Sequence, residues 1–480
     1  MTNRSPVAVS LAASLMLSAC ASPQAATPLA PLPPPLARFT AGPFGTPPGE
    51  WWRQRTEDPG LSRLVAAALA NSPDLAVASA RIAQARATVG ARAADRLPNV
   101  GGSASVTASR STDAELGGAS SLPTGASVDR QRVTGQLGLD ASYDVDLFGR
   151  LAADQRAAEA LLDSATADAA AVRLALVTDV ARNYVAAVAA QARAAVAREN
   201  IAAARDLVAI TRVRVKAGLV AGIDATRGES LLAETAATLP PLDGERGSRT
   251  AALATLTALG PAEIGALVAA APTAPRFGVP AIGVPSDLVA RRPDISAAIR
   301  RVAAADADTA AALAASFPRL TITSAIGLVA TTLGNFLSGN ALSLAAGPGL
   351  AGPLFDFGRN RAAVEGSRAR TAEAVATYRQ ALLTAFGEVE QNLALAAARE
   401  RQRSALEALV AANADTAAIA RIQYRRGLTD FLGVLDAQQA LFRSRDAAIL
   451  AESQAADAEL ALFRAIGGDL TSVPRAKFGK

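Results

Sequence analysis

Histidine is absent from the sequence, and its 480 residues include only one cysteine and two methionines. The absence of histidine excludes a Ser-His-Asp triad, a Cys-His dyad and a zinc site with imidazole ligands. An enzyme built on carboxylates alone would need a carboxylate dyad with converging strands or loops, and the sequence offers none. We therefore predict that the chain is not an enzyme and needs no cofactor or metal.

Runs of five or more basic residues are also missing, although lysine and arginine (48) slightly outnumber aspartate and glutamate (43). Charges of both signs are interspersed along the chain, and aromatic residues do not interleave with the basic ones. This pattern is typical of solvated helix faces and predicts no nucleic-acid surface.

Aromatic residues are scarce, at 4%, although half of the residues are apolar. About half of the apolar residues are alanine, the best helix former, whose small side chain lets helices approach closely. Long, closely packed helices therefore fit this composition better than thick cores built around large side chains.

The first twenty residues predict an export signal. Arg4 supplies a positive charge, and Val7–Leu17 is an apolar stretch that is too short to cross a bilayer as a helix. We therefore assign residues 1–19 to a signal peptide.

The end of this signal, Leu17-Ser18-Ala19-Cys20, resembles the bacterial lipobox, in which the cysteine is acylated and becomes the new N-terminus. The alternative is a plain signal peptide with an incidental cysteine. A covalent lipid on Cys20 would anchor the chain stably, because each buried CH₂ group contributes about 0.8 kcal/mol. Ala21 replaces the aspartate typical of inner-membrane retention, which favours the outer membrane. Residues 20–59 are predicted to be a lipid anchor and a proline-rich, extended tether.

The sequence repeats itself. Four landmarks recur in the same order in the two halves: Asn71-Ser72-Pro73-Asp74-Leu75 as Arg291-Arg292-Pro293-Asp294-Ile295, Leu97-Pro98-Asn99-Val100 as Phe317-Pro318-Arg319-Leu320, Asp146-Leu147-Phe148-Gly149-Arg150 as Phe355-Asp356-Phe357-Gly358-Arg359, and Lys216-Ala217-Gly218-Leu219 as Arg425-Arg426-Gly427-Leu428. The two halves therefore share one architecture.

Each half predicts a helix, two strands, a very long helix and a returning helix. The first repeat covers residues 60–265, with strands 99–110 and 132–147, a long helix 150–216 and a return from Asp224 to Leu259. A linker covers residues 266–285. The second repeat covers residues 286–470, with strands 318–330 and 340–357, a long helix 359–426 and a return from Asp430 to Ile466. Residues 471–480 form a tail. A helix of 67 residues is about 100 Å long, which is typical of coiled coils and helical ducts.

The predicted strands alternate between apolar and polar residues. From Gln136 to Asp146, Leu137, Leu139, Ala141, Tyr143 and Val145 alternate with polar residues and glycine, over the length of a transmembrane strand. The alternative is a soluble sandwich with one wet face. Four strands cannot close a membrane barrel alone, because exposed strand edges are not tolerated in hydrocarbon. About eight are needed, so the barrel must be shared between chains and the protein must be an oligomer.

Several motifs together carry a family resemblance: Trp51-Trp52, Asp58-Pro59-Gly60-Leu61, Tyr143-Asp144-Val145-Asp146-Leu147-Phe148-Gly149-Arg150, Val284-Pro285-Ser286-Asp287-Leu288, Gly387-Glu388-Val389-Glu390 and Val434-Leu435-Asp436-Ala437-Gln438. The chain resembles the TolC-type outer-membrane efflux factors, most closely their NodT-like lipoprotein branch. The resemblance implies a mainly α fold with transmembrane β strands, in which each chain forms one third of a 12-strand β-barrel and of a 12-helix periplasmic α-barrel.

The same resemblance implies the function and the partners. The protein would be a homotrimer in the outer membrane, with helices projecting into the periplasm. It would be the passive exit duct for small molecules delivered by an inner-membrane pump of the RND type and a periplasmic adaptor. Two alternatives stay open at this point: a duct for type I protein secretion and a lipid-anchored periplasmic adaptor. The adaptor is disfavoured, because it would carry one helical hairpin and not a repeated helix-strand-strand-helix unit.

Gate and contact residues follow from the resemblance as well. Asp436 matches a carboxylate that faces the narrowed lumen as a ring, but the second acidic position of many members is Gly433 here. Tyr424 matches an aromatic residue that ties neighbouring helices shut, although its usual basic neighbour is Thr429 here. Asp224 and Arg227 occupy the corresponding stretch of the first half. The turns Gly218-Leu219 and Gly427-Leu428 lie where the adaptor would bind, and the alternative is that these glycines are only helix C-caps.

Overall fold

A computed structural model describes residues 58–110, 131–279, 291–331 and 341–468. Several predicted features lie outside these ranges: the signal peptide, Cys20, Trp51-Trp52, the motif 284–288 and the tail 471–480. The described chain divides into two compact units. Within the described ranges, the first unit comprises Ala83–Asp163 and Arg300–Ala376. The second unit comprises residues 58–82, Ser164–Ile299 and the described residues from Thr377 onward.

The described elements follow the predicted repeat. They are α1 (Pro59–Asn71), α2 (Pro73–Ala94), β1 (Asn99–Arg110), β2 (Gln131–Val145), α3 (Arg150–Lys216), α4 (Gly222–Ala237), α5 (Leu239–Thr257), α6 (Pro261–Ala270), α7 (Pro293–Ala314), β3 (Arg319–Ala330), β4 (Leu342–Ala351), α8 (Arg359–Arg425) and α9 (Phe431–Ala465). The long helices α3 and α8 each have 67 residues. Each half thus has a helix, two strands, a long helix and a return, in the predicted order.

Three predicted elements differ from the structure. The return from Asp224 to Leu259 has a short break at Thr238, which separates α4 from α5 although its own backbone stays in the helical region. Pro240 and Pro241 follow this break and fit the first turn of a new helix, where their missing N–H groups cost nothing. The helix α6 was not predicted and enters the stretch assigned to the linker. Strand β4 ends at Ala351, well before residue 357.

The first unit contains one antiparallel sheet with the strand order β1-β2-β3-β4. The register aligns Gly102, Leu139, Ile326 and Leu344 in one row across the sheet. Because residues alternate in a strand, the apolar residues two positions along, Ala104, Leu137, Leu328 and Leu342, lie on the same face of the sheet. In a single chain this face is exposed: Leu139 is 58% exposed and Leu344 is 74% exposed. The sandwich alternative fails in the described ranges, which hold one sheet and no second one to cover this face.

Matching turns connect the strands to the long helices. The carboxylate of Asp146 accepts hydrogen bonds from the backbone N–H groups of Leu151 and Ala152 at the start of α3, at 3.1 and 2.8 Å. The carboxylate of Asp356 accepts from Asn360 at the start of α8, at 2.9 Å. These bonds satisfy free donors of the first helical turn. The repeated Asp and Phe-Gly-Arg landmarks are therefore helix starts.

The second unit has an apolar core of large side chains from both halves, including Leu61, Leu64, Tyr184, Leu253, Ile264, Phe277, Leu460 and Phe463. Tyr184 donates to the carboxylate of Asp58, which also caps α1 by accepting from Leu61 N at 2.9 Å. Burial and the nearby Asp58 carboxylate raise the pKa of Tyr184 above its usual value.

Of the described helices, none by itself has the length and apolarity to cross a membrane. The bent pair formed by Gly222–Thr257, which spans α4 and α5, and Pro261–Ala270 meets the criterion by length and composition only.

Candidate gate and contact site at the helix turns

The two predicted turns have the same local geometry. Gly218 and Gly427 have φ values of +70° and +74°, in the left-handed region that glycine adopts without steric cost. Leu219 N donates to Arg214 O and Leu428 N to Gln423 O, both at 2.9 Å. This is the Schellman arrangement, which satisfies the last carbonyls of α3 and α8. Both glycines are therefore helix C-caps, a geometry that is compatible with an adaptor contact at the same turns.

The leucines that follow these glycines are exposed. Leu219 is 72% exposed and Leu428 is 73% exposed, one at each turn. An apolar side chain at such a position contributes little to the folding of its own chain. Both leucines are therefore free to contact a partner.

Tyr424 lies in a small apolar cluster that joins helices of the two halves. Its side chain is 3% exposed and packs edge-on against Phe431, with 6.1 Å between the ring centroids. The rest of the cluster consists of Ala204, Leu207, Leu231, Val434 and Leu435. Tyr424 is therefore a packing residue between helices of the two halves, and its role in closing a gate stays a prediction.

The cation beside Tyr424 comes from a position that the sequence did not indicate. The Arg214 guanidinium carbon lies 4.4 Å from the Tyr424 ring centroid, and Arg214 Nη2 donates to the backbone carbonyl oxygen of Tyr424 at 3.2 Å. Such stacking contributes roughly 0.5–2 kcal/mol, depending on desolvation. Position 429, the usual place of a basic neighbour of Tyr424, is a threonine in this chain. Arg214, on α3 of the first half, provides a cation beside Tyr424 instead. We call Arg214, Tyr424 and Phe431 the clasp.

The hydroxyl group of Tyr424 is buried and has no hydrogen-bond partner in the described part of the chain. A buried polar atom without a partner costs about 1–3 kcal/mol. The ring of Tyr424, and not its hydroxyl group, therefore stabilises this arrangement.

Asp224 and Arg227 form an ion pair within the first turns of α4, with 3.8 Å between Oδ1 and Nη1. Asp224 also complements the partial positive charge at the start of the helix. This pair lies within one helix and does not itself connect two helices. Beside it, a Cβ on Gly228 would lie 3.1 Å from Val208 Cγ2 and 3.3 Å from Phe431 Cζ. Gly228 therefore permits the close approach of α4 to α3 and α9, a role that no motif in the sequence indicates.

Asp436 is exposed on α9, while its neighbours Leu435 and Ala437 are buried. It has no ion pair or hydrogen bond to any residue that the structure describes. Gly433 occupies the position of a second carboxylate, and its N–H group donates to the Asp430 side chain at 2.9 Å, which caps α9. Asp436 is therefore an unpaired carboxylate near the turn.

The described ranges contain no group of three or more His, Cys, Asp and Glu residues arranged to hold a metal ion.

Comparison with known proteins agrees with this architecture. The outer membrane efflux protein family matches residues 64–259 and 284–468. A pyoverdine export outer membrane protein, OpmQ of Pseudomonas putida, is 32% identical over 455 residues, which cover 95% of this chain and 96% of that protein. A toluene efflux pump outer membrane protein, TtgI of Pseudomonas putida, is 31% identical over 415 residues, which cover 86% of each chain.

A solved structure of the outer-membrane channel OprN is also similar, with a TM-score of 0.83 and 31% identity over 92% of this chain and 99% of that one. This likeness confirms the predicted TolC-like fold class. With the family match over most of the chain, it shows that the chain belongs to the outer membrane efflux protein family, a family of outer-membrane transport channels.

Proposed function

We propose that the chain is one protomer of a homotrimeric exit channel that works with a periplasmic adaptor and an inner-membrane pump of the RND type. The channel passes small molecules without chemistry. The single observation that carries this proposal is the four-stranded sheet, whose apolar face is exposed and whose edge strands β1 and β4 have no partner strand in the described chain. Copies that pair these edges would close a barrel and cover the apolar face with lipid.

The clasp is proposed as the closed state of the periplasmic gate. It links α3 of the first half to α8 and α9 of the second half. We expect these helices to move apart when the channel opens and to separate Arg214 from Tyr424. Asp436 is proposed to line the lumen near this point, where one carboxylate from each copy would form a ring that attracts cations. Leu219 and Leu428 are proposed to contact the adaptor, because both are exposed at matching turns.

A lipid on Cys20 is proposed as an additional anchor in the outer membrane. Mass spectrometry of the mature N-terminal peptide tests it: an acylated Cys20 agrees with the proposal, and cleavage elsewhere with an unmodified thiol contradicts it.

Small-molecule efflux is favoured over type I protein secretion. The relatives described above are named for pyoverdine export and toluene efflux. Their cargo does not identify the cargo of this chain.

The direct test is to purify the full chain from membranes in detergent and to measure its molar mass and its single-channel conductance in planar bilayers. We expect a mass close to three protomers and discrete conductance steps. A monomer that does not conduct would contradict the proposal.

A further inference from the structure

The polar face of the sheet contains one carboxylate without a charged partner. Asp144, on the same face, is paired with Arg150, with 3.3 Å between Oδ2 and Nη2. Asp140 is exposed and has no ion pair or hydrogen bond to any described residue. Arg132, near the start of β2, is the next charged residue of that strand on this face.

The residues around Asp140 are small. The register places Gly101, Asp140, Ala325 and Ala345 in one row across β1, β2, β3 and β4. The adjacent rows on the same face contain Ser103, Gly138, Gly327 and Ser343 on one side, and Asn99, Ser142, Thr323 and Gly347 on the other. Asp140 is therefore the only charged side chain in three successive rows, and no larger side chain covers it.

Gly101 fixes where this carboxylate lies. A Cβ on Gly101 would be 3.0 Å from Asp140 Oδ2 and 3.1 Å from Asp140 Oδ1, so the carboxylate rests directly over the glycine on the neighbouring strand. A larger residue at position 101 would displace it. The charge is thus held at the sheet surface in a defined row.

We infer that Asp140 is a charge-selectivity residue of the exit barrel, which favours cationic over anionic solutes in addition to the residues proposed for the gate. This inference rests on the proposed function: where the apolar face meets lipid, the opposite face lines the lumen. Each copy then adds one carboxylate at the same height. Charges of one sign in a pore raise the local concentration of the opposite ion.

The test is the cation-to-anion permeability ratio of the purified full chain in planar bilayers under a KCl gradient. Asp140→Asn should lower this ratio about twofold at 0.01 M salt, where the screening length is about 30 Å, and hardly at all at 1 M, where it is about 3 Å. Ser142→Asn, on the same face and in the next row, is the matched neutral control and should leave the ratio unchanged. An unchanged ratio in Asp140→Asn at low salt, or equal changes in both variants, would overturn the inference.

A second experiment uses one folded variant to test both the effect of charge at position 140 and whether this position faces the aqueous lumen. Asp140→Cys is treated with water-soluble methanethiosulfonate reagents carrying a negative or a positive group, and the wild type, whose only cysteine is Cys20, is treated in parallel. The negative group should restore the wild-type ratio, and the positive group should shift the ratio below that of Asp140→Asn. Failure of both reagents to react would place the residue against lipid and overturn the inference. A wild-type chain that conducts in no condition would overturn the proposed function as well.

Discussion

Arg214 makes two contacts with Tyr424, one with the aromatic ring and one with the backbone carbonyl group. The guanidinium carbon lies 4.4 Å from the ring centroid, and Nη2 donates to the carbonyl oxygen at 3.2 Å. One side chain of the first repeat thereby holds both parts of a residue in the second repeat. The position that matches Arg214 in the second half is Gln423, so the internal repeat does not duplicate this contact.

Arg214→Ala should weaken the closed state by about 1–2 kcal/mol per copy, because the variant loses a partly desolvated cation–π contact. We expect longer open times and larger mean conductance in planar bilayers. Arg212→Ala is the matched control, since Arg212 pairs with Glu229 at 2.6 Å on an exposed surface. If both variants conduct as the wild type does, the clasp is not part of the gate.

Tyr424→Phe and Tyr424→Ala should behave in opposite ways. The phenylalanine keeps both ring contacts and removes a buried hydroxyl group without a partner, so the channel should stay as closed as the wild type or become more so. The alanine leaves a cavity that costs about 3–5 kcal/mol, so it should open the channel and lower the melting temperature. A phenylalanine variant as open as the alanine variant would show that the hydroxyl group makes an essential bond.

Asp436→Asn should lower the cation selectivity of the channel, because the change removes an exposed carboxylate that has no cationic partner in the described chain. Asp224→Asn should have a smaller effect, since Arg227 already offsets the Asp224 charge. Permeability ratios at low salt compare the two variants. Unchanged selectivity in Asp436→Asn would remove this residue from the gate.

Arg292 should be a stability residue of the second unit. It is buried and donates to Asp294 and Glu388, each at 2.6 Å, and to the carbonyl oxygen of Ala465 at 2.9 Å. Arg292→Met removes charge-assisted hydrogen bonds worth roughly 1.5–3 kcal/mol each, partly offset because both carboxylates can regain water. We expect a lower melting temperature. Arg198→Met is the control, since Arg198 pairs with Asp243 at 3.1 Å on the surface of the same unit, where an ion pair contributes little.

This network also predicts a pH dependence. Burial alone would raise the pKa of Asp294, but the hydrogen bonds and the charge of Arg292 outweigh burial and hold that pKa below its usual value. The unfolded chain therefore binds the proton more readily than the folded chain. The stability contribution is fully present above the ordinary carboxyl pKa near 4 and is lost as the pH falls through the lowered value. Melting curves of the wild type and Asp294→Asn should converge at low pH, and a constant difference would contradict this linkage.

Period-two alternation and the repeated landmarks predicted most of the fold. The strict alternation at Leu137, Leu139 and Tyr143 identified β2, and the absence of proline from Arg150 to Lys216 identified α3 with its bounds. The glycines at positions 218 and 427 predicted the two matching turns. The break before Pro240 was missed because prolines are tolerated in the first turn of a helix, and the prediction ran one helix through Pro240 and Pro241.

The contacts of the clasp could not be predicted in the same way. Arg214 and Tyr424 are 210 residues apart, and their contact depends on the relative rotation of two 67-residue helices. No local pattern reports that rotation. The close approach at Gly228 was hidden for the same reason, since an exposed glycine and one packed against Phe431 look alike in a sequence.

Cross-linking of the sheet edges tests the shared barrel most directly. A series of double-cysteine variants carries one cysteine in β1 and one in β4, and the position of each cysteine is moved along its strand from one variant to the next. The variants are oxidised in native membranes, and the wild type, with Cys20 alone, is the control. The account predicts at least one pair of positions that yields covalent species up to a trimer and no larger. Cross-links confined within single chains, or none at any pair of positions, would contradict it.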